Sequence, residues 1–191
     1  MRATLIATLI ASTAFAHAAH AEVSTYVIDP AHTFVTFEVQ HFGTSTNRGR
    51  FDKKTGSVQL DKAAKTAKVD LTLDTGSINT GTAAFDKHLQ SDNFFNSAVF
   101  PTARFVADNF SFNGEKVTKV TGQLTLLGKT NPVVLTATNF NCYMSPVLKH
   151  EVCGGDFETT IARDQWGMSW GIQYGIPNSV KLLIQVEAVQ Q

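Results

Sequence analysis

Apolar and polar residues alternate along most of this chain, and this alternation restricts its fold more than any other feature. It is clearest within residues 28–51, where one side of the segment carries Val35, Phe37, Val39 and His41. Side chains of a β-strand point alternately to opposite faces, so the pattern predicts a strand with one apolar and one polar face. Phe34 is an exception on the polar face. Residues 43–49 are predicted to form a polar turn before Phe51 starts the return strand.

The same alternation recurs in further segments separated by turn residues, at 68–74, 103–108, 120–126, 133–138, 157–161 and 180–187, and more weakly at 56–60. Together these segments predict about eight antiparallel strands. Closing such a sheet removes its exposed edges, and an eight-stranded barrel has room for packed side chains or for one small ligand. The predicted fold class is therefore all-β, an extended eight-stranded antiparallel barrel. The alternation leaves open whether its interior is filled or hollow.

One segment, residues 82–91, departs from this pattern and has helical spacing. Phe85 and Leu89 share a face of the predicted helix, with His88 beside them, because residues four apart are neighbours on a helix. Thr82 is a suitable N-cap residue. The segment is predicted to be one short α-helix that lies over an end or flank of the barrel.

Residues 1–21 have the features of a secretory signal peptide. Arg2 precedes an apolar run that is too short to cross a membrane, and Ala19-His20-Ala21 is a small-residue cleavage signal before Glu22. The predicted domain is then residues 22–191. Without Arg2 it has 15 basic side chains (16 − 1) against 16 acidic ones, and no basic stripe. Nucleic-acid binding is not expected, because it requires many Lys and Arg contacts with phosphates.

Cys142 and Cys153 are the two cysteines of the chain. In an exported protein, a pair this close in sequence indicates a disulfide that closes a local loop. Such a disulfide stabilises the fold by roughly 3 kcal/mol on a chain-entropy argument. The alternatives are a redox pair, or metal ligation together with His150. Neither the spacing nor the number of ligands supports a zinc site, and no metal site is predicted.

Phenylalanine dominates the aromatic residues: the chain has 14 Phe against three Tyr and two Trp. Phe offers a large apolar surface without a hydrogen-bonding group. One interpretation is an ordinary core with a lid, and the other is a long apolar cavity with a Phe-lined rim. On the second interpretation, the candidate ligand-binding residues of the cavity and rim are Val35, Phe37, Val39, His41, Phe42, Phe51, Phe85, His88, Leu89, Phe94, Phe95, Phe105, Leu124, Arg163, Trp166 and Met168.

Two polar residues continue apolar rows. His41 is either an inward-facing histidine with a protein partner or a polar anchor inside an apolar tunnel. Arg163 extends the row of residues 157–161, and an inward arginine requires a partner, because the burial of an unpaired charge is very costly. Asp164 or Asp86 is the favoured partner, and an anionic ligand head group is the alternative.

Several short motifs together resemble the signature of the YceI-like proteins. They include Asp29-x-x-His32-Thr33, His41-Phe42-Gly43, Ser77-Ile78-x-Thr80-Gly81, Asp86-Lys87-His88-Leu89, Phe94-Phe95, Phe100-Pro101-Thr102 and Arg163. The resemblance covers about residues 26–188. It implies an extended lipocalin-like barrel with a helix, exported to the periplasm. It also implies a cavity that binds polyisoprenoid or other long amphiphilic chains, such as prenyl pyrophosphates or isoprenoid quinones, and it implies no established catalytic residue.

Three classes of function are compatible with these features. The favoured class is a periplasmic, non-enzymatic carrier or reservoir for a polyisoprenoid or isoprenoid-quinone-like lipid, which is then a ligand and not a cofactor. The second is an enzyme that modifies a prenyl lipid with His41 or His88 as general base, since imidazole titrates near neutral pH. The third is a soluble partner that hands quinone to a membrane oxidoreductase. A homodimer is suggested by the resemblance alone.

Overall fold

The structure, a computed structural model, describes residues 23–191, which form eleven β-strands and one α-helix. The predicted signal peptide, residues 1–21, lies outside the described residues. Helix α1 spans Ala83–Gln90, and short 3-10 turns span Thr75–Ser77, Arg163–Trp166 and Ile172–Tyr174. The strands are β1 (Ser24–Ile28), β2 (Phe34–His41), β3 (Ser45–Phe51), β4 (Lys54–Asp61), β5 (Thr66–Asp74), β6 (Ile78–Asn79), β7 (Thr102–Asn113), β8 (Lys116–Leu126), β9 (Lys129–Met144), β10 (Glu151–Ala162) and β11 (Ser179–Gln190).

The strands close into an antiparallel barrel with eight positions. The order around the ring is β1, β4, β5, β7, β8, β9, β10 and β11, and β11 pairs with β1 again. β2 pairs with β11 and β3, and β6 pairs with β3. β1 with β2, β3 with β4, and β5 with β6 are therefore each one long strand interrupted by a bend. The predicted eight-stranded barrel is confirmed.

The alternating rows form the core, as the pattern predicts. Val35 and Phe37 of β2 are buried, and so are Val180, Ile184 and Ala188 of β11. A strand with one buried face places every second side chain inside the barrel. The period of two therefore identified the inward face of these strands correctly.

Phe34, the exception on the outer face of β2, is covered by two cations. The Arg50 guanidinium carbon lies 5.0 Å from the centre of its ring, and the Lys54 ammonium lies 4.5 Å from it. Cations in this position interact favourably with the face of an aromatic ring. Burial lowers the pKa of Lys54, partly offset by the nearby Asp52 carboxylate. The outward phenylalanine is thus shielded from solvent by long basic side chains.

The turn between β2 and β3 is shorter than predicted. β3 begins at Ser45, so the connection is residues 42–44, and the prediction of a turn over 43–49 is wrong. The strand was missed because its residues are mostly polar. Its pairing with β2 is supported by cross-strand contacts such as the Arg48–Glu38 ion pair, with an N–O distance of 2.7 Å.

The helix lies on the flank of the barrel beside β6. It is one residue shorter at each end than the predicted 82–91, and Thr82 occupies the N-cap position without a side-chain cap hydrogen bond. Leu89 is buried. The Asp86 carboxylate accepts hydrogen bonds from the backbone N–H and the hydroxyl of Thr80, both at 2.7 Å, which ties the helix to the end of β6. Within residues 23–191, no helix has the length and apolar character that crossing a membrane requires.

Cys142 and Cys153 form the predicted disulfide, with an S–S distance of 2.09 Å. They lie opposite each other on β9 and β10. A Glu151 carboxylate oxygen and the two sulfur atoms lie within 4.8 Å of one another, but the sulfurs are bonded to each other. His150 does not belong to this group, so the alternative of metal ligation with His150 has no geometric support among the described residues.

Candidate ligand cavity

The barrel contains a cavity of about 510 Å³ in the half that β2, β3 and α1 cover. We call it the main cavity, and we call this end of the barrel the open end. Almost all of its lining atoms are apolar. Its volume is within the range of roughly 300–1,000 Å³ that is usual for small-molecule sites. This part of the interior is therefore hollow.

Most residues of the predicted cavity and rim line the main cavity, namely Val35, Phe37, Val39, His41, Phe42, Phe51, Phe85, His88, Leu89, Phe94, Phe95, Leu124, Arg163 and Met168. Their contact with a ligand stays a prediction. Other lining residues were not predicted although they belong to recognised inward rows: Leu73, Ala103, Leu126, Ile161, Val180 and Leu182. A third group does not belong to any inward row, because its members lie in the loop after β10, on the polar strand β3, or on the row of β2 that the alternation assigned to the polar face: Gln40, Asn47, Trp170, Tyr174 and Ile176.

Three aromatic side chains mark the mouth of the main cavity. Phe42, Trp170 and Tyr174 line it and are also 54%, 36% and 66% exposed. A side chain that contacts both the cavity and solvent must lie at the opening. The ring of Phe42 faces the backbone of Gly175, since a Cβ built on Gly175 would lie 3.6 Å from Phe42 Cδ1. Phe42 therefore narrows the mouth from the β2–β3 turn.

The backbone of Phe42 is unusual for an aromatic residue. Its φ is 52° and that of Gly43 is 70°, so both central residues of the turn have positive φ, as in a type I′ hairpin turn. Asn and Gly are strongly preferred at such positions. Strained residues of this kind cluster at functional sites. The conformation holds an exposed phenylalanine at the mouth.

Three rings in the lining of the main cavity, from α1, the segment after it and the loop after β10, pack against one another. His88 lies 4.9 Å, centre to centre, from both Phe94 and Trp170, and Phe94 lies 5.3 Å from Trp170. His41 packs edge-on against Phe42 at 4.8 Å. Both cavity histidines therefore act as packed aromatic rings.

A general base usually has a second group that orients it. Among the described residues, His32 is the histidine whose ring hydrogen-bonds to a carboxylate, with 2.6 Å between His32 Nδ1 and Asp29 Oδ2. His32 does not line the main cavity. The geometry therefore gives His41 and His88 no oriented acid–base partner.

Arg163 is almost fully buried, at 3% exposure, and its hydrogen bonds go to backbone carbonyl groups. Nη1 donates to the carbonyl oxygens of Met168 at 3.0 Å and Trp170 at 2.9 Å, and Nε donates to that of Pro177 at 3.1 Å. These bonds tie the loop that follows β10 to one side chain. Arg163 thus organises the loop that supplies Trp170 and Tyr174 to the mouth.

The predicted carboxylate partner of Arg163 is wrong. Asp86 accepts hydrogen bonds from Thr80 instead, and neither Asp86 nor Asp164 forms an ion pair with Arg163 within the described part of the chain. Burial lowers the pKa of Arg163, and the nearby Asp164 charge acts weakly in the opposite direction. Backbone carbonyl groups of an irregular loop are the partners of Arg163 where a carboxylate was predicted. No sequence pattern indicates such partners.

Trp166 and Phe105 were also predicted to belong to the cavity and rim, but neither is among the residues that line the main cavity. Trp166 is 1% exposed and its indole N–H donates to the Leu124 carbonyl at 3.0 Å, so it is a core residue outside the main cavity. Phe105 lines a second, smaller cavity of about 100 Å³ at the disulfide end of the barrel, which we call the distal cavity.

A closed antiparallel barrel with an apolar interior cavity and an aromatic mouth defines a class of proteins built to hold a small hydrophobic ligand. Residues 26–188 match the YceI-like domain, and the chain belongs to this family. A UPF0312 protein from Pseudomonas savastanoi pv. phaseolicola is 40% identical over 136 residues, which are 70% of this chain and 71% of that protein.

Two solved structures have the same fold. BcnA from Burkholderia cenocepacia superposes with a TM-score of 0.70 and 20% identity, over 84% of this chain and 99% of that one. A polyisoprenoid binding domain from Saccharophagus degradans, implicated in plant cell wall breakdown, superposes with a TM-score of 0.64 and 15% identity, over 89% of this chain and all of that one (100%). At these identities the likeness concerns the fold.

Proposed function

We propose that this protein is a periplasmic, non-catalytic carrier or reservoir that holds a polyisoprenoid or an isoprenoid-quinone-like lipid in the main cavity. The observation that carries the proposal is the cavity of about 510 Å³ with its apolar lining and aromatic mouth. The fold it shares with a polyisoprenoid binding domain supports the choice of ligand. Export by the predicted signal peptide would place this function in the periplasm.

Burial of the lipid chain supplies enough affinity for such a role. At roughly 0.8 kcal/mol per buried carbon, one five-carbon isoprene unit contributes about 4 kcal/mol before ordering costs. Three units then reach about 12 kcal/mol, which is the nanomolar range before the costs of association and ordering are subtracted. An apolar cavity therefore suffices, and a charged clamp on the head group is not required.

The polar residues of the lining favour a neutral head group. Gln40, Asn47 and Tyr174 offer uncharged hydrogen-bonding groups. Arg163 is the permanently charged residue of the described lining. Its Nε and Nη1 donate to backbone carbonyls, whereas its buried Nη2 has no hydrogen-bond partner among the described residues and could donate to a ligand. A diphosphate needs several cationic or N–H partners, whereas a quinone or an alcohol needs one or two hydrogen bonds. A quinone or polyprenol therefore fits better than a prenyl pyrophosphate.

The direct test is organic extraction of the purified protein, followed by mass spectrometry. We expect one long-chain isoprenoid per barrel, and uptake of added ubiquinone or polyprenol by protein that has been stripped of lipid. Val39→Lys places a charge in the main cavity and should abolish uptake. Thr36→Lys, on the opposite face of the same strand, is the matched control and should bind normally. An empty extract together with no uptake contradicts the proposal.

The same extracts distinguish a carrier from an enzyme. A carrier returns the added lipid chemically unchanged after long incubation, and His41→Ala then alters affinity at most. Conversion of the lipid by the parent protein, lost in His41→Ala while binding persists, would instead establish catalysis. Saturable binding to a membrane oxidoreductase by a lipid-free barrel would favour the role of an interaction partner.

A further inference from the structure

The two cavities lie one behind the other inside the barrel, and each has its own lining. The main cavity is at the open end and the distal cavity is at the disulfide end, where Cys153 is part of its wall. No described residue lines both cavities. A layer of side chains therefore divides the interior.

Phe105 lies in this dividing layer. Its cross-strand partner on one side, Leu124 of β8, lines the main cavity, whereas its partner on the other side, Leu71 of β5, lines the distal cavity. One inward position towards the open end on its own strand, Ala103 lines the main cavity. Its neighbours on β5, β7 and β8 therefore place Phe105 at the boundary between the main cavity and the distal cavity.

A glycine makes room for the Phe105 ring. A Cβ built on Gly122 would lie 2.6 Å from Phe105 Cζ, so the ring occupies the space that a side chain at position 122 would fill. Gly122 lies on β8 between Leu124, which lines the main cavity, and Val120, which lines the distal cavity. The ring is thus held at the level where one cavity ends and the other begins.

We propose that Phe105 is the floor of the ligand site and sets the length of the isoprenoid chain that the barrel holds. This inference rests on the proposed function. The chain enters at the mouth and extends as far as the Phe105 ring. The distal cavity, lined by apolar side chains, is additional chain-binding space that the ring closes off.

Isoprenoid alcohols of increasing length, farnesol, geranylgeraniol and solanesol, test the proposal by competition against a bound fluorescent lipid. Phe105→Ala joins the two cavities, so its affinity for solanesol should rise by about tenfold, because burial of even two further carbons changes affinity by that much. Its affinity for farnesol should stay within about threefold of the parent protein, because a short chain ends above the floor.

Two further variants make the test specific. Phe110→Ala removes the same ring from the distal cavity, where its cross-strand partner is Val120, and should leave the length preference unchanged. Ala103→Leu raises the floor, keeps Phe105 in place and should shift the preference towards farnesol. This second change tests the floor even if Phe105→Ala does not fold.

The outcomes separate the two proposals. If the parent protein binds farnesol, but the parent protein, Phe105→Ala and Ala103→Leu all prefer the same chain length, the proposal that Phe105 is the floor is overturned. The carrier function then remains intact. The floor proposal is also overturned if Phe110→Ala shifts the preference towards longer alcohols as much as Phe105→Ala does. Failure of the parent protein to bind any of the alcohols overturns the carrier function, and the floor with it.

Discussion

The ring of Phe37 lies directly over the backbone of Gly49, its cross-strand partner on β3: a Cβ built on Gly49 would be 2.5 Å from Phe37 Cζ. Phe37 also lines the main cavity. We expect Gly49→Ala to push the ring into the cavity, to lower the free energy of unfolding by about 1–3 kcal/mol through overpacking, and to weaken lipid binding. Denaturant unfolding and lipid titration measure the two effects. Ser45→Ala, at an exposed position of the same strand, should change neither.

Phe42→Asn should separate stability from binding. Asn adopts the positive φ of this turn position readily, so we expect the free energy of unfolding to rise by about 1 kcal/mol. The loss of the aromatic ring at the mouth should weaken lipid binding and speed its release. Val99→Asn, which removes an exposed apolar residue outside the cavity lining, is the control and should leave binding intact. A fall in the stability of Phe42→Asn would contradict this expectation.

Arg163→Lys should be strongly destabilising although the charge is retained. A lysine ammonium lacks the planar geometry that reaches the carbonyls of Met168, Trp170 and Pro177 together, so buried carbonyl groups lose their donors. We expect a loss of about 2–4 kcal/mol in the free energy of unfolding. Arg104→Lys, in the exposed pair with Asp70, should cost less than about 1 kcal/mol. Equal effects of the two substitutions would contradict this role of Arg163.

The Asp29–His32 pair should make a small contribution to stability that depends on pH. Their hydrogen bond raises the pKa of His32 above 6.5 and lowers the pKa of Asp29 below 3.8. The histidine adds stability below pH 6.5 and loses it as pH rises through its folded pKa. The aspartate adds stability above pH 3.8 and loses it as pH falls through its folded pKa. The pair therefore contributes most between these two values.

Asp29→Asn tests this contribution. The His32 side chain is 62% exposed, so the effect on stability is expected to be small, and the titration of the ring is the sharper measurement. NMR should show a lower pKa for His32 in Asp29→Asn than in the parent protein. An unchanged His32 titration would mean that the pair does not persist in solution.

Replacement of both Cys142 and Cys153 by serine should lower stability without affecting the main cavity. Removing the loop closure is expected to cost about 2–4 kcal/mol in the free energy of unfolding. The disulfide lies at the distal end, and neither cysteine lines the main cavity, so lipid affinity should stay the same. Thermal unfolding under oxidising and reducing conditions checks the first effect, because only the parent protein should respond to reductant. A large loss of lipid affinity would show that the two ends of the barrel are coupled.

Residue patterns predicted the barrel and most of its inward rows, although β1, β3 and β6 were not among the predicted strands. Alternation with a period of two determines which face of a strand is buried, independently of the strand's neighbours. Phe37 and Leu124 were assigned to the interior on this basis, and Phe85, His88 and Leu89 were assigned to one side of a helix. The polar strand β3 was missed because pairing with β2, and not burial, stabilises it.

Tertiary structure alone decided what occupies the interior. Alternation indicates that a side chain points inward, but the empty volume that remains inside the barrel depends on strand tilt, stagger and side-chain rotamers. Ala103 and Phe105 belong to the same inward row, yet they line different cavities, because the ring of Phe105 fits over Gly122 on the neighbouring strand. The partners of Arg163 were equally hidden, since they are backbone carbonyls of a loop and every residue type carries that group.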